Sequence, residues 1–249
     1  DSDNYHRILF NSGKALQARE LTQIQTFLQN QITRFGNNIF KEGAVVKPGG
    51  ANLNQKYEFI KLNTSSNALP ADTSAFPGAI FTGATSGVKV KCIEVVAATG
   101  GDPATLYVQY IKMSSATASA NTIRMTAGEN ISGAGTTLTV QTTNTTANPA
   151  VGTGLQATLK SGIYYARGHF VFTEDQSKII SKYSDSKDTD IGFKAVEEIV
   201  TTSDDNELFD NQGAVPDVSA PGADRYRIRL TIAERSDVDS DENFIPVAE

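Results

Sequence analysis

The sequence predicts a mainly β protein with one long N-terminal α-helix, in which a Thr-rich β-sandwich or small barrel is inserted in a mixed N/C-terminal domain. Three observations carry that reading. Leu21, Ile24, Leu28, Ile32, Phe35 and Ile39 recur at spacings of three and four, which places them on one face of a helix. Beyond about Gly50 the apolar runs shorten and alternate, with Gly, Asn and Pro between them, as in sheets of short strands. Between them lies a stretch dominated by Thr, Ser, Ala, Gly and Asn and poor in charge, a composition that favours β structure over a linker. The expected organisation is residues 1–50 as a segment with a long assembly helix, 51–160 as the Thr/Ser/Ala-rich β domain, and 161–249 as an acidic, β-rich region packing with the first.

The elements follow in order. Ser12 either caps the helix or lies in the preceding turn with Gly13. Gly36, Asn37 and Asn38 mark its stop, because they tolerate the left-handed backbone that ends helices. The remaining helix faces carry Gln17, Gln23, Gln25, Gln29, Asn30 and Gln31 where a solvated helix normally carries Glu and Lys. Two readings stay open: an amphipathic helix lying on its own domain, or a helix packed on several sides, including against another subunit. Residues 57–62 read as a strand, as do 87–97, where the alternation changes frame at Cys92-Ile93 and suggests a bulge or a strand covered on both sides. Gly100-Gly101-Asp102-Pro103 is turn chemistry joining that strand to 106–111 in a hairpin. Shorter strands are expected at 122–125, 138–141 and 155–159, with loop tips at 133–135 and 142–149. Residues 163–172 form one long strand or two bent at Gly168, and 191–200 and 226–233 are further strands. In the last, Tyr226, Ile228, Leu230 and Ile232 alternate with Arg225, Arg227, Arg229 and Thr231, so one face is buried and the other is basic, its arginines meeting local carboxylates.

Composition narrows the function. The 249 residues carry a net charge of −6, against a nucleic-acid surface as the main role. One cysteine excludes an intrachain disulfide framework, and Cys92 reads as core. No apolar stretch reaches the ~18–20 residues of a membrane helix, and no signal-peptide pattern opens the chain. Asp1 in place of Met reads as a processed or trimmed piece. His6 and His169 lie far apart, without metal-binding spacing, and no Gly-x-Ser-x-Gly elbow occurs. Gly152-Thr153-Gly154 resembles part of a dinucleotide fingerprint, but that motif works only between a strand and a helix N-terminus, and its flanks here read as loop and strand. Asp237, Asp239 and Asp241 resemble a calcium loop without its glycine or its twelfth-position glutamate, and Asp185, Asp188 and Asp190 cluster similarly; both read as solvated acidic turns. Neither a cofactor, a metal nor a catalytic residue is expected.

Residues 6–25, HRILFNSGKALQARELTQIQ, are similar to the N-terminal signature of an uncharacterised domain family of virion structural proteins from tailed phages, notably contractile-tailed cyanophages. Residues 28–43, LQNQITRFGNNIFKEG, continue it. Two later segments resemble the same family: 162–171, GIYYARGHFV, and 208–213, LFDNQG, through 220–226, APGADRY, with Gln212 a minor departure. The resemblance covers about half the chain and leaves the Thr/Ala-rich middle unaccounted for. It implies a tail or baseplate component, joining or forming part of the fibre and receptor-binding apparatus, located in the virion after synthesis in the host cytoplasm. It further implies an ordered part of a longer fibre-like protein, with no catalytic residues. The expected partners are copies of itself, as a homotrimer, or other tail proteins. The expected assembly contacts are Tyr5, Phe10, Leu21, Ile24, Gln25, Leu28, Gln29, Ile32, Phe35 and Ile39, the six apolar helix positions also serving the core. A second reading is a carbohydrate- or receptor-binding module, in which exposed Tyr107, Tyr110, Tyr164 and Tyr165 stack on the sugars of a host surface glycan. A third, a depolymerase, needs two carboxylates ~5–10 Å apart.

Overall fold

The computed structural model describes residues 6–63, 65, 69–112, 124–210, 215, 217–239 and 243–248. It is mainly β, with one α-helix near the N-terminus. Two compact units divide the chain: unit 1 comprises 1–52, 158–178 and 189–249, and unit 2 comprises 53–157 and 179–188. No helix among the described residues is long and apolar enough to cross a membrane.

The first unit opens with α1 (Ala18–Ile39) and the short strand β1 (Val45–Lys47), and contributes the start of β2 (Gly50–Lys61). The second holds most of β2, then β3 (Ile80–Gly83), β4 (Lys89–Val96), β5 (Thr105–Lys112), β6 (Asn130–Gly133), β7 (Thr136–Thr139) and most of β8 (Val151–Lys160). Back in unit 1 lie β9 (Gly162–Ala166), β10 (His169–Thr173), the start of β11 (Gln176–Ser181), β12 (Ile191–Val200), β13 (Phe209–Asp210), β14 (Asp217–Pro221), β15 (Arg225–Glu234) and β16 (Phe244–Ala248).

In unit 2 the strand order β11-β8-β2-β5-β4-β3-β6-β7 does not end in a flat edge. Beyond β7, Val140 forms an antiparallel bridge with Leu62 at the end of β2, so the sheet turns back on itself. Ile60, Phe81, Val88, Val90, Cys92, Leu106, Ile131 and Leu138 fill the space inside, all fully buried. The frame change expected near Cys92 is a real bulge. Register shifts between Cys92 and Glu94, and Ile93 turns outward while Val88, Val90 and Cys92 keep to the core. The Gly100-Gly101 turn closes the expected β4–β5 hairpin: Thr99 and Asp102 exchange backbone bonds of 3.2 and 2.9 Å around two glycines at φ 58° and 95°. The strand expected at 122–125 is not formed in its described half: Arg124 and Met125 lie in a bend, and the Met125 amide donates to the Tyr110 hydroxyl at 3.3 Å instead of a ladder. Its other two residues lie outside the described ones. The Gly152-Thr153-Gly154 stretch is inside β8, a strand, with no helix to present an N-terminus.

In unit 1, residues 163–172 resolve into the two-stranded alternative. β9 and β10 pair antiparallel across a turn at Arg167 and Gly168, both at positive φ, with β1 on the other side of β9. A second sheet runs β15-β12-β16, and β13 pairs with β14. Tyr164 lies edge-on to Phe193 at 4.8 Å, fully buried, its hydroxyl donating to the Lys160 carbonyl at 2.6 Å. Arg227 and Arg229 of β15 both reach Glu198 on β12, at 2.7 and 3.4 Å, as the alternation predicts. On the opposite face Leu230 is buried, but Tyr226 is exposed, so the buried side is shorter than expected.

Candidate assembly surface

The surface is built on α1 and the segment before it. Ser12 takes the turn, not the cap. Gln17 is the N-cap, where its backbone amide donates to Glu20 Oε2 at 3.0 Å in a capping box. Nor is Gly36 the stop. The helix runs through it to Ile39, because Gly36 serves packing: it is the one buried residue of α1, and Tyr165 of β9 lies against its Cα where any side chain would collide.

What docks on the rest of unit 1 is the polar side of the helix. Gln29 Nε2 and Thr33 Oγ1 both donate to the Gly168 carbonyl, at 3.1 and 3.2 Å. The Tyr165 hydroxyl donates to Asn37 Oδ1 at 2.6 Å. Beyond the helix, Phe40 packs on Tyr165 and Phe170 at 5.7 and 5.6 Å between ring centres. Gly168 is at φ 77°, and a side chain there would press on Thr33. Small and amide residues allow this close approach, and Gln29, Thr33 and Asn37 each find a hydrogen-bond partner across it.

The apolar stripe points elsewhere. At 100° per residue its six positions centre roughly 100° round the helix from Gln29, Thr33 and Gly36. Leu28, Phe35 and Ile39 are 61%, 62% and 57% exposed, Leu21 and Ile32 are also exposed, and Ile24 is half-buried. The expectation that these six serve the core is therefore corrected: the core side of α1 is the amide and small-residue side. Gln29 changes role for the same reason, being bonded to its own unit, whereas Gln25 is exposed beside the stripe. Phe10 is exposed, together with Leu9 and Leu16, next to the start of the stripe. Tyr5 lies outside the described residues. A groove of about 250 Å³ opens between His6, Arg7, Ile8 and the helix residues Ile24, Phe27 and Leu28.

Sequence reasoning missed Gly36, Asn37, Tyr165 and Gly168 as the anchoring set. The available signal is Gly36 within an otherwise unbroken helical pattern, which marks a close approach and not a stop.

The tyrosines proposed for sugar stacking are not available. Tyr107, Tyr164 and Tyr165 are buried, and Tyr110 is half-buried with its hydroxyl accepting from Met125. Tyr107 stacks on Tyr57 at 4.6 Å, and the Tyr57 hydroxyl donates to Glu94; burial, then the Glu94 charge, pushes its pKa far up. Among the described residues no group of three His, Cys, Asp or Glu side chains is placed to hold a metal ion. Asp237 accepts from the Glu234 amide and pairs with Lys178 at 2.9 Å, while Asp241 lies outside the described residues. His169 Nδ1 sits 2.8 Å from the Arg167 carbonyl, part of the β9–β10 turn.

Residues 1–98 match the model of a domain of unknown function, DUF4815, which spans α1 and the strands as far as β4. No curated protein and no solved structure matches the chain significantly.

Proposed function

We propose that this chain is a structural component of a bacteriophage tail or baseplate, part of or attached to the fibre and receptor-binding apparatus, that works through permanent contacts with neighbouring subunits and not through catalysis. The observation that carries the reading is the outward apolar face of α1. A helix that needed only its own unit would bury its apolar stripe there. This one spends amides and a glycine on that contact and leaves five apolar residues exposed, with Ile24 half-buried among them. Isolated exposed apolar residues are ordinary, but a continuous stripe beside exposed Leu9, Phe10 and Leu16 is the kind of patch that marks a protein contact. The resemblance of residues 6–43 to phage virion proteins falls on this same segment. Its partners would be copies of itself and other tail proteins, in the virion.

The test is Leu28→Asp. The side chain is exposed, so the fold should be unchanged by circular dichroism, while oligomers in sedimentation and incorporation into phage particles, read by mass spectrometry of purified virions, should be lost. Particles that contain the variant at the wild-type copy number, or a wild-type chain absent from particles, would refute the reading.

A further inference from the structure

The six positions of the apolar stripe on α1, five exposed and Ile24 half-buried, repeat with a period of eleven. Leu21 and Ile32, Ile24 and Phe35, and Leu28 and Ile39 are each eleven residues apart. A heptad begun at Leu21, Ile24 and Leu28 would next require residues 31, 35 and 38, which are Gln31, Phe35 and Asn38. Ile32 and Ile39 instead fall one residue later. Eleven residues make three turns at about 3.67 per turn, so a seam with this repeat runs straight or winds slightly right-handed, opposite to a heptad coiled coil. At 100° per residue all six stay within an arc of about 80° over an axial length of about 27 Å.

We propose that α1 joins copies of this chain side by side, in parallel, in a straight to slightly right-handed bundle whose layers are Leu21, Ile24, Leu28, Ile32, Phe35 and Ile39. This rests on the assembly reading above and names its occupant: a second copy.

Three features fit a copy. The charged residues of α1 are Arg19, Glu20 and Arg34, and all lie about 80° or more from the midline of the stripe, so identical helices meet there without like-charge contact. The stripe is flanked on one side by Gln31, whose Nε2 lies 3.5 Å from His6 Nδ1, and on the other by exposed Gln25, whose amide carries both donor and acceptor, so that residue on two copies satisfies itself. The remaining side is already anchored through Gln29, Thr33 and Gly36, so the stripe faces away from that contact.

The parallel direction follows from the ends. Leu9, Phe10 and Leu16 are exposed and share a hollow with Lys14 and Glu20 beside the N-terminal end of the stripe, whereas Lys41 and Glu42 directly follow its C-terminal end. Parallel copies bring the apolar ends together; antiparallel copies set that cluster against the charged end. A membrane surface would call for a run of Lys and Arg along the polar face, and that face carries Arg19 and Arg34 alone among amides and threonine bonded to protein.

The experiment uses the full chain carrying Leu21→Cys or Ile39→Cys, with the native Cys92 buried and out of reach. Mild oxidation should yield disulfide-linked dimers of L21C with L21C and of I39C with I39C, and no mixed product when the two variants are combined. A mixed product in place of the self-linked ones would overturn the parallel arrangement. A second pair of variants tests the period. Ile32→Gln should weaken self-association about tenfold or more by sedimentation, and Gln31→Ala less than twofold, since only Ile32 lies on the seam. The reverse order would overturn the eleven-residue seam. Failure of both self-links with a monomeric wild type, while Leu28→Asp still blocks particle incorporation, would overturn this inference and leave the proposed function standing with a different partner. Binding of that monomer to phosphatidylserine vesicles would overturn it in favour of a lipid surface.

Discussion

Gly36→Ala is the substitution on which sequence and structure give opposite signs. In an isolated helix the change removes glycine's penalty and stabilises by about 1 kcal/mol. In this protein the new methyl would lie about where the Tyr165 ring now sits, with the ring's Cζ and Oη both 2.6 Å from the added carbon. The ring must shift, an overpacking cost of about 1–3 kcal/mol. Its hydroxyl then leaves Asn37 Oδ1, to which it donates at 2.6 Å, and a buried polar group that loses its partner costs about 1–3 kcal/mol more. Net of the propensity gain, a loss of about 1–5 kcal/mol is expected, centred near 3. For a unit of this size that lowers its thermal midpoint by about 10 °C. The assay is urea and thermal unfolding by circular dichroism, with labelling of the Cys92 thiol reporting unit 2 separately. The loss should fall on the unit that contains α1, and Gly36→Ala combined with Tyr165→Leu should cost less than the two single changes added. A Gly36→Ala protein as stable as wild type, or more stable, would refute the packing argument.

Three other expectations concern parts away from the helix. Phe81→Ala empties the middle of the unit 2 core and should cost about 3–5 kcal/mol; because burial pushes the Cys92 thiol up to about 11, an ordinary thiol reagent at pH 8 should label Cys92 only through opening, and faster in this variant. Glu198→Gln removes the charge shared by Arg227 and Arg229, but both arginines are exposed and Glu198 is only half-buried, so the stability read by urea unfolding should change by less than about 1 kcal/mol. The Tyr226 hydroxyl is pushed up to about 12 by loss of surrounding water and by its bond to Glu197. A raised folded pKa means stability that is complete below the usual tyrosine value of about 10 and lost as pH rises toward 12. Glu197→Gln should bring its ultraviolet titration back toward 10, and an unchanged titration would show that Glu197 does not hold the proton.

Much of the fold was legible because strands announce themselves locally. The bulge at Cys92-Ile93 broke the alternation in the sequence itself, and the Gly100-Gly101 hairpin and the Glu198-facing arginines of β15 follow from turn chemistry and from charge alternation. The bend at Arg124 and Met125 was not legible, since a short apolar run reads as a strand whether or not a neighbour offers ladder bonds, and here a tyrosine hydroxyl took the amide instead.

The candidate surface divides the same way. Periodicity alone established that α1 exists and that Leu21, Ile24, Leu28, Ile32, Phe35 and Ile39 share a face, because side-chain direction in a helix is fixed by 3.6 residues per turn. It left undecided which face the body of the protein takes. That was settled by Tyr165 and the Gly168 carbonyl, more than a hundred residues downstream, whose ring needs the hollow at Gly36 and whose oxygen needs the donors of Gln29 and Thr33. A sequence records hydrophobicity residue by residue, but which side of a helix is inside depends on shape and hydrogen-bond partners that meet only when the distant strands have formed.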